Sequence, residues 1–360
     1  MTRPIISIFG SSLVSAYWNG AATYYRGIVR AMHGAGHAVT FYEPDAWDRQ
    51  AHRDIADPPW ARVVVYPNRE DAALRALDDG CRADIVVKMS GVGVFDELLE
   101  AGVLARRRQG ALTIFWDVDA PATLDRVGGN PDDPFRALIP QYDLVLTYGG
   151  GDPVVRAYEA CGARACVPIY NAHDPETHYP VDRDARFEAC LGFLGNRLPD
   201  REARVDEFFF RAAAALPERR FLLGGNGWDD KARPANVTYV GHVRTGDHNA
   251  FNSTPLALLN ISRDSMARYG FSPATRVFEA AAAGACLITD AWEGVDTFFE
   301  PGRELLVASS GEEVADTLAR LSVESADAVG AAARARVLAD HTYTRRVQQL
   351  ERLLAIRTAA

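Results

Sequence analysis

Short apolar runs, often β-branched, recur along this chain and are separated by stretches whose apolar positions repeat at helical spacing. Ile5–Phe9 reads as a buried strand that ends at Gly10-Ser11-Ser12. A helix is expected from about Gly20, with Tyr24, Ile28 and Met32 on one face. Gly34 and Gly36 stop it, and Ala38–Tyr42 supplies the next strand. Further strands are expected at Arg62–Tyr66, Asp84–Lys88, Leu112–Trp116 and Leu144–Thr147, with helical segments between most of them. Alternation of this kind builds a parallel, doubly wound sheet.

From residue 171 to 186 the pattern breaks into a polar loop, NAHDPETHYPVDRDAR, and then restarts. Strands are expected at Leu191–Leu194, Phe221–Leu223, Val237–Val240, Leu256–Ile261, Cys286–Thr289 and Leu305–Val307, with helices near 202–215 and 273–283. The fold class is therefore α/β, with two Rossmann-like αβα domains at residues 1–180 and 181–342. A last helix, about 343–356, follows the completed second domain and is free to cross back onto the first. Ligands of open α/β sheets bind outside the carboxyl ends of the strands. The residues just after each strand, bordering a cleft between two such sheets, are thus the ones to examine.

Composition narrows the function classes. The 360 residues carry 39 basic and 48 acidic side chains, a net charge of −9, and 48% are hydrophobic. That is too apolar for a disordered chain and the wrong balance for a protein living on phosphate-backbone attraction, so no nucleic-acid partner is expected. No apolar run reaches the roughly 18 residues of a membrane span. The opening MTRPIISIFG shows no secretory signal, so a cytoplasmic protein is expected. The five cysteines are scattered without a C-x-x-C pair, and the eight histidines show no ligand spacing, so no metal site is expected. Lys88 and Lys231 are the only lysines among the 39 basic residues. Codon usage accounts for most of that bias, although arginine forks also suit anionic oxygens.

The densest signal runs from Tyr269 to Gly284. Ser272 is expected to cap a helix and Pro273 to occupy its first position, with Gly284 just past its end. A helix start of this kind binds anions, and Ser272, Thr275 and Arg276 lie at it. Glu279, one turn on, suits sugar or ribose hydroxyls. The plain alternative is an ordinary capped helix with an Arg–Glu surface pair.

This stretch, with the following CLITDAWEGVDTFFEPGRELLV, resembles the donor region of GT-B fold glycosyltransferases, closest to the spore-maturation (CgeB-like) branch. Further segments resemble that family in order: RAMHGAGHAVTFYE, YDLVLTYGGGDPVVRAYEACG, VPIYNAHDPETHYP, FLGNRLPDR, YVGHV and LALLNISRDSM. The resemblance implies a glycosyltransferase that moves a sugar from a nucleotide-sugar donor to an acceptor hydroxyl without a metal ion. The nucleotide sugar is then a co-substrate, with no other cofactor, and the acceptor is a small molecule, glycan or protein. A GT-B nucleotide-sugar epimerase or hydrolase and a non-catalytic nucleotide-sugar binding protein remain as alternatives.

By the same resemblance Glu279 matches the glutamate that holds the donor ribose, and Arg197 or Arg201 stands where relatives place basic phosphate ligands. His242, after a strand end, is a further donor candidate. Many retaining relatives carry a second glutamate eight positions before the first, where this chain has Phe271. Acceptor and base should then come from the first domain. A histidine often stands near the end of its Leu112–Trp116 strand; here that place falls to Trp116, so Asp117 and Asp119 become the candidate bases. One of the two could instead cap the following turn. The loop from Gly10 to Gly20 lacks the G-x-G-x-x-G pattern. Its Ser11, Ser12, Tyr17, Trp18 and Asn19, together with Lys88 at another strand end, are the candidate acceptor contacts.

Overall fold

The computed structural model describes residues 3–358, with the side chains of Ser265 and residues 356–358 left undescribed. The chain divides into two units, one of residues 1–170 and 343–360, the other of residues 171–342.

The first unit is built on seven parallel strands: β1 (Ile5–Phe9), β2 (Ala38–Asp45), β3 (Arg62–Pro67), β4 (Ile85–Met89), β5 (Leu112–Asp117), β6 (Leu144–Thr147) and β7 (Cys166–Pro168). Their order is β3-β2-β1-β4-β5-β6-β7. The second unit holds six: β8 (Leu191–Leu194), β9 (Phe221–Gly224), β10 (Val237–Gly241), β11 (Ala257–Asn260), β12 (Leu287–Asp290) and β13 (Leu306–Ala308), in the order β10-β9-β8-β11-β12-β13. β4, β5, β6 and β8 are buried or nearly so along their length, which matches their continuous apolar runs. Strand order reverses between β1 and β4 in one unit and between β8 and β11 in the other. Those two reversals mark where a ligand-binding crevice opens in such sheets.

The division falls at Tyr170–Asn171, ten residues before the boundary expected from the polar loop. The reason is hydrogen bonding. The His173 amide donates to His341 O at 3.0 Å, the Val181 amide to Ser253 Oγ at 3.3 Å, and Asn249 Nδ2 to Thr177 O at 3.0 Å. The loop is thereby bound into the second unit.

The last helix, Tyr343–Thr358, packs within the first unit against Ala22–Gly34. The Tyr343 ring covers Gly27, where a Cβ would come within 2.1 Å of it. Arg346 Nε donates to Tyr170 O at 3.0 Å, and Arg3 and His37 both reach Glu351. A second long helix, Val323–Asp340, starts at a Ser322–Ser325 capping box and is absent from the sequence expectations above. Among the described residues no helix is long and apolar enough to cross a membrane.

Candidate donor and acceptor sites

The second unit gathers arginines at its strand-order reversal. The β8 chain leaves through Gly195-Asn196-Arg197 and reaches Arg201, which stands just before the helix Glu202–Val205. That helix passes through a π-helical turn, Asp206–Phe210, before ending at Ala215. The neighbouring strand β11 leaves through Ile261-Ser262-Arg263. Arg263 Nε donates to Asp200 Oδ2 at 2.6 Å, tying the two exits together.

Arg197 and Arg201 have different surroundings. Arg197 is neutralised by a fork onto Glu202, both bonds 2.8 Å, and by Asp230 at 2.8 Å. The Arg201 side chain has no hydrogen bond or ion pair among the described residues, and its Nε is buried. Burial, with the charges of Arg276 and Arg263 close by, pushes its pKa down to about 10. Arg276 likewise lacks a bonded partner among the described residues; burial depresses its pKa, with Glu279 opposing. Two desolvated guanidiniums that repel one another make an unfavourable arrangement for the empty protein and a favourable one for a bound polyanion.

The helix carrying Arg276 runs Thr275–Ala282, and Ala274 occupies its N-cap without a side-chain bond. Ser272 is therefore not the cap, and Pro273 does not open the helix, contrary to expectation. The cause lies one residue earlier. Gly270 (φ 67°) and Phe271 (φ 45°) both take left-handed conformations, and the Phe271 amide donates to Glu293 O at 2.6 Å. The Phe271 ring lies against Gly294, where a Cβ would come within 2.2 Å of it. This turn delays helical geometry by two residues and leaves the Ser272 hydroxyl without a hydrogen bond among the described residues. The first-turn amides at Thr275 and Arg276 still lack intrahelical acceptors. Gly284 (φ 78°) closes the other end, as its position predicts.

Glu279 is half-buried and sits 3.5 Å from His178 Nε2. His248 joins the same group: burial lowers its pKa, with Glu279 opposing and Arg276 reinforcing the shift, and its Nε2 lies 3.2 Å from Val243 O. Neither histidine was a site candidate from sequence, because each lies on a separate polar segment with no ligand spacing. His242, at the end of edge strand β10, is exposed and has no side-chain bond among the described residues.

In the first unit several candidates prove to be internal struts. Ser12 Oγ donates to Glu43 Oε1 at 2.8 Å, and the Leu13 amide to Glu43 Oε2 at 2.6 Å. Ser11 Oγ bonds Asn19 Oδ1 at 3.0 Å, while Asn19 Nδ2 donates to Ser12 O and Ser15 O. These side chains, with buried Glu43, hold the Gly10–Gly20 loop in shape and have little left to offer a ligand. Lys88 is fully buried, 2.7 Å from Asp96 Oδ1 and 2.7 Å from Met89 O, so it is a structural cation and not an anion site. Tyr17 and Trp18 are exposed, at 40% and 79%.

Of the two candidate bases, Asp117 is fully buried and committed. It accepts from Ser90 Oγ at 2.7 Å, the Asp119 amide at 2.9 Å and the Tyr158 hydroxyl at 2.5 Å. Its role is to shape the end of β5. Asp119 is half-buried at the N-cap of Ala120–Gly129, and its side chain makes no capping bond. Trp116 is core: its Nε1 donates to the Tyr24 hydroxyl at 3.0 Å, and that hydroxyl donates on to Ile169 O.

A family model described as glycosyl transferase-like matches residues 201–352, which contain Arg201, Arg263, Arg276 and Glu279. No curated protein matches the chain in sequence. Solved structures match it nearly end to end. Sucrose-phosphate synthase from Thermosynechococcus elongatus is 15% identical with a TM-score of 0.69, covering 99% of this chain and 100% of that one. HepE from Anabaena, solved with UDP and glucose, is 13% identical with a TM-score of 0.68, covering 98% and 100%. An alpha-glucosyltransferase solved with UDP-glucose and DNA containing an abasic site is 12% identical with a TM-score of 0.70, covering 98% and 99%. Residues 201–352 thus carry the sequence pattern of the glycosyl transferase-like family, on a chain that has the GT-B glycosyltransferase fold throughout.

Proposed function

We propose that this chain is a glycosyltransferase of the spore-maturation (CgeB-like) branch that takes its sugar from a nucleoside diphosphate donor and needs no metal ion. The observation that carries the reading is the pair of unpartnered guanidiniums, Arg201 and Arg276, at the strand-order reversal of the second unit. A leaving nucleoside diphosphate develops negative charge as the glycosidic bond breaks. Fixed donors aimed at that charge lower the barrier without reorganising. Arg201, Arg276 and the first-turn amides of Thr275–Ala282 supply such donors, which is the work a divalent cation does in other transferases.

Glu279 accepts the ribose hydroxyls, and Asp119 takes the proton from the acceptor hydroxyl as it attacks the sugar. Arg263, held by Asp200, sets the positive field around Arg201. UDP is the nucleotide to test first, since HepE was solved with UDP and the alpha-glucosyltransferase with UDP-glucose. A hexose is the matching donor sugar.

A thermal-shift titration of the full chain with UDP, ADP, GDP and their glucose conjugates tests the reading. A rise in melting temperature with at least one diphosphate, lost in Arg201→Ala, is the expected result. No rise with any of them overturns it. Transfer of labelled glucose to an acceptor then separates a transferase from an epimerase, a hydrolase or a binding protein.

A further inference from the structure

Two tryptophans in the first unit combine large exposure with a backbone conformation that bulky residues avoid. Trp18 (φ 47°) is 79% exposed and Trp47 (φ 59°) is 59% exposed. Left-handed geometry at a non-glycine residue is unfavourable and persists only where the surroundings enforce it. At Trp18 the enforcing group is Arg49. Its Nη2 donates to Trp18 O at 3.4 Å, and its Nη1 donates to Val92 O at 3.2 Å and Ser11 O at 3.4 Å. Trp47 lies over Gly93, where a Cβ would stand 3.0 Å from the indole Nε1. The exits of β1, β2 and β4 are thus joined by one buried arginine, and the two indoles stand on them. Tyr17 extends the surface. It meets Trp18 edge-on at 6.2 Å and stacks on His52 at 4.0 Å.

The charges around this aromatic rim set what it can hold. Arg26 is forked onto Asp54 at 2.7 and 2.8 Å, Arg53 pairs with Asp57, and Arg49 is buried with its amino groups given to carbonyls. Asp45 and Asp48 are exposed beside Trp47. Among the described residues these cations are paired or bonded, save for the buried Nε of Arg49, whereas carboxylates face solvent. A phosphate, a uronate or a nucleic-acid backbone meets no spare positive charge here. Rigid exposed ring faces with polar edges suit the apolar face of an uncharged sugar ring.

We propose that Trp18 and Trp47 form a stacking platform for a neutral saccharide, which makes the acceptor of the transfer an uncharged glycan. This rests on the glycosyltransferase reading above. It adds Trp47, which has no motif around it, and names the acceptor's chemical class.

The test is a tryptophan-fluorescence titration of the full chain with maltotriose, cellotriose and chitotriose, run alongside octyl glucoside below its micelle concentration and a galacturonate trimer. Saturable quenching by at least one neutral trisaccharide is expected, weakened at least tenfold in Trp18→Ala and in Trp47→Ala. The same variants should keep the wild-type melting temperature and the wild-type thermal shift with UDP. Binding that survives the Trp18→Ala/Trp47→Ala double variant, or no binding by any neutral trisaccharide, overturns the platform. Tighter binding of octyl glucoside than of every trisaccharide overturns it in favour of a lipid-like acceptor, and preference for the galacturonate trimer overturns the charge argument. If no nucleoside diphosphate or glucose conjugate gives a shift in wild type, it is the glycosyltransferase reading that falls; if one of them binds and saccharides do not, only the platform does.

Discussion

The guanidinium of Arg201 lies so close over Gly195 that a Cβ at that glycine would come within 2.8 Å of Nη1. Bare backbone at the exit of β8 is therefore what lets Arg201 approach the strand-order reversal. Gly195→Ala should push the guanidinium aside with little loss of fold, since the side chain is flexible. Nucleotide affinity should fall about tenfold, and by 10- to 100-fold in Arg201→Ala, in keeping with the ~1.5–3 kcal/mol of a hydrogen bond to a charged group. Isothermal titration with UDP checks both, and equal affinity in wild type and Arg201→Ala would remove Arg201 from the site.

Arg197 gives the opposite expectation. Its fork onto Glu202 and its contact with Asp230 make it an ion-pair hub that is partly open to solvent. Arg197→Met should leave stability close to that of wild type, because solvent screens an exposed ion pair. Donor KM should stay within about twofold of wild type, a change worth ~0.4 kcal/mol. Steady-state kinetics with a chemical melt separates this role from phosphate binding.

The two aspartates at the end of β5 should part in the same way. Asp119→Asn should reduce kcat about 10²–10⁴-fold with the melting temperature unchanged, as loss of a general base does. Asp117→Asn should chiefly destabilise, by ~1–3 kcal/mol, because buried Ser90 and Tyr158 hydroxyls lose their charged acceptor. Equal stability of the Asp117 variant would contradict its role as a strut.

Acid should weaken the second unit before it weakens the first. Burial lowers the pKa of His173 and His248 from the ordinary 6.5, so the unfolded chain protonates them first. Above pH 6.5 both states hold them neutral and stability does not depend on them. As pH falls below 6.5 the unfolded state gains protons that the folded state resists, and stability drops. In the first unit Asp96, held low chiefly by Lys88 against its own burial, loses its contribution only as pH falls below its ordinary 3.8. Urea melts at pH 7.5 and 5.5 should show the decline, and His173→Gln should reduce it.

Much of the fold was legible because buried parallel strands write continuous apolar runs. β1, β6 and β8 begin and end where the pattern says, whereas β7 is three residues ending in a proline and writes no such run. The site was less legible, since residue type does not reveal which polar groups are already spoken for. Asp117, Lys88, Ser11, Ser12 and Asn19 have the chemistry of a site and the partners of a core. Glu43, which orders the first loop, sits inside strand β2, and nothing in the residue type marks it as the partner of Ser12 and Leu13. The delayed start of the Arg276 helix depends on a left-handed phenylalanine that no propensity scale anticipates.

The closing helix has a consequence for how the molecule is made. The first unit has its seven strands by residue 168 but needs Tyr343 to fill the space over Gly27, so the entire second unit is synthesised in between. At roughly 5–20 residues per second, the early sheet waits on the order of ten seconds or more with one flank of the Ala22–Gly34 helix uncovered. The unit begun first is completed last: a nascent chain halted between residues 171 and 343 carries a finished or growing second unit while the first still lacks its cover.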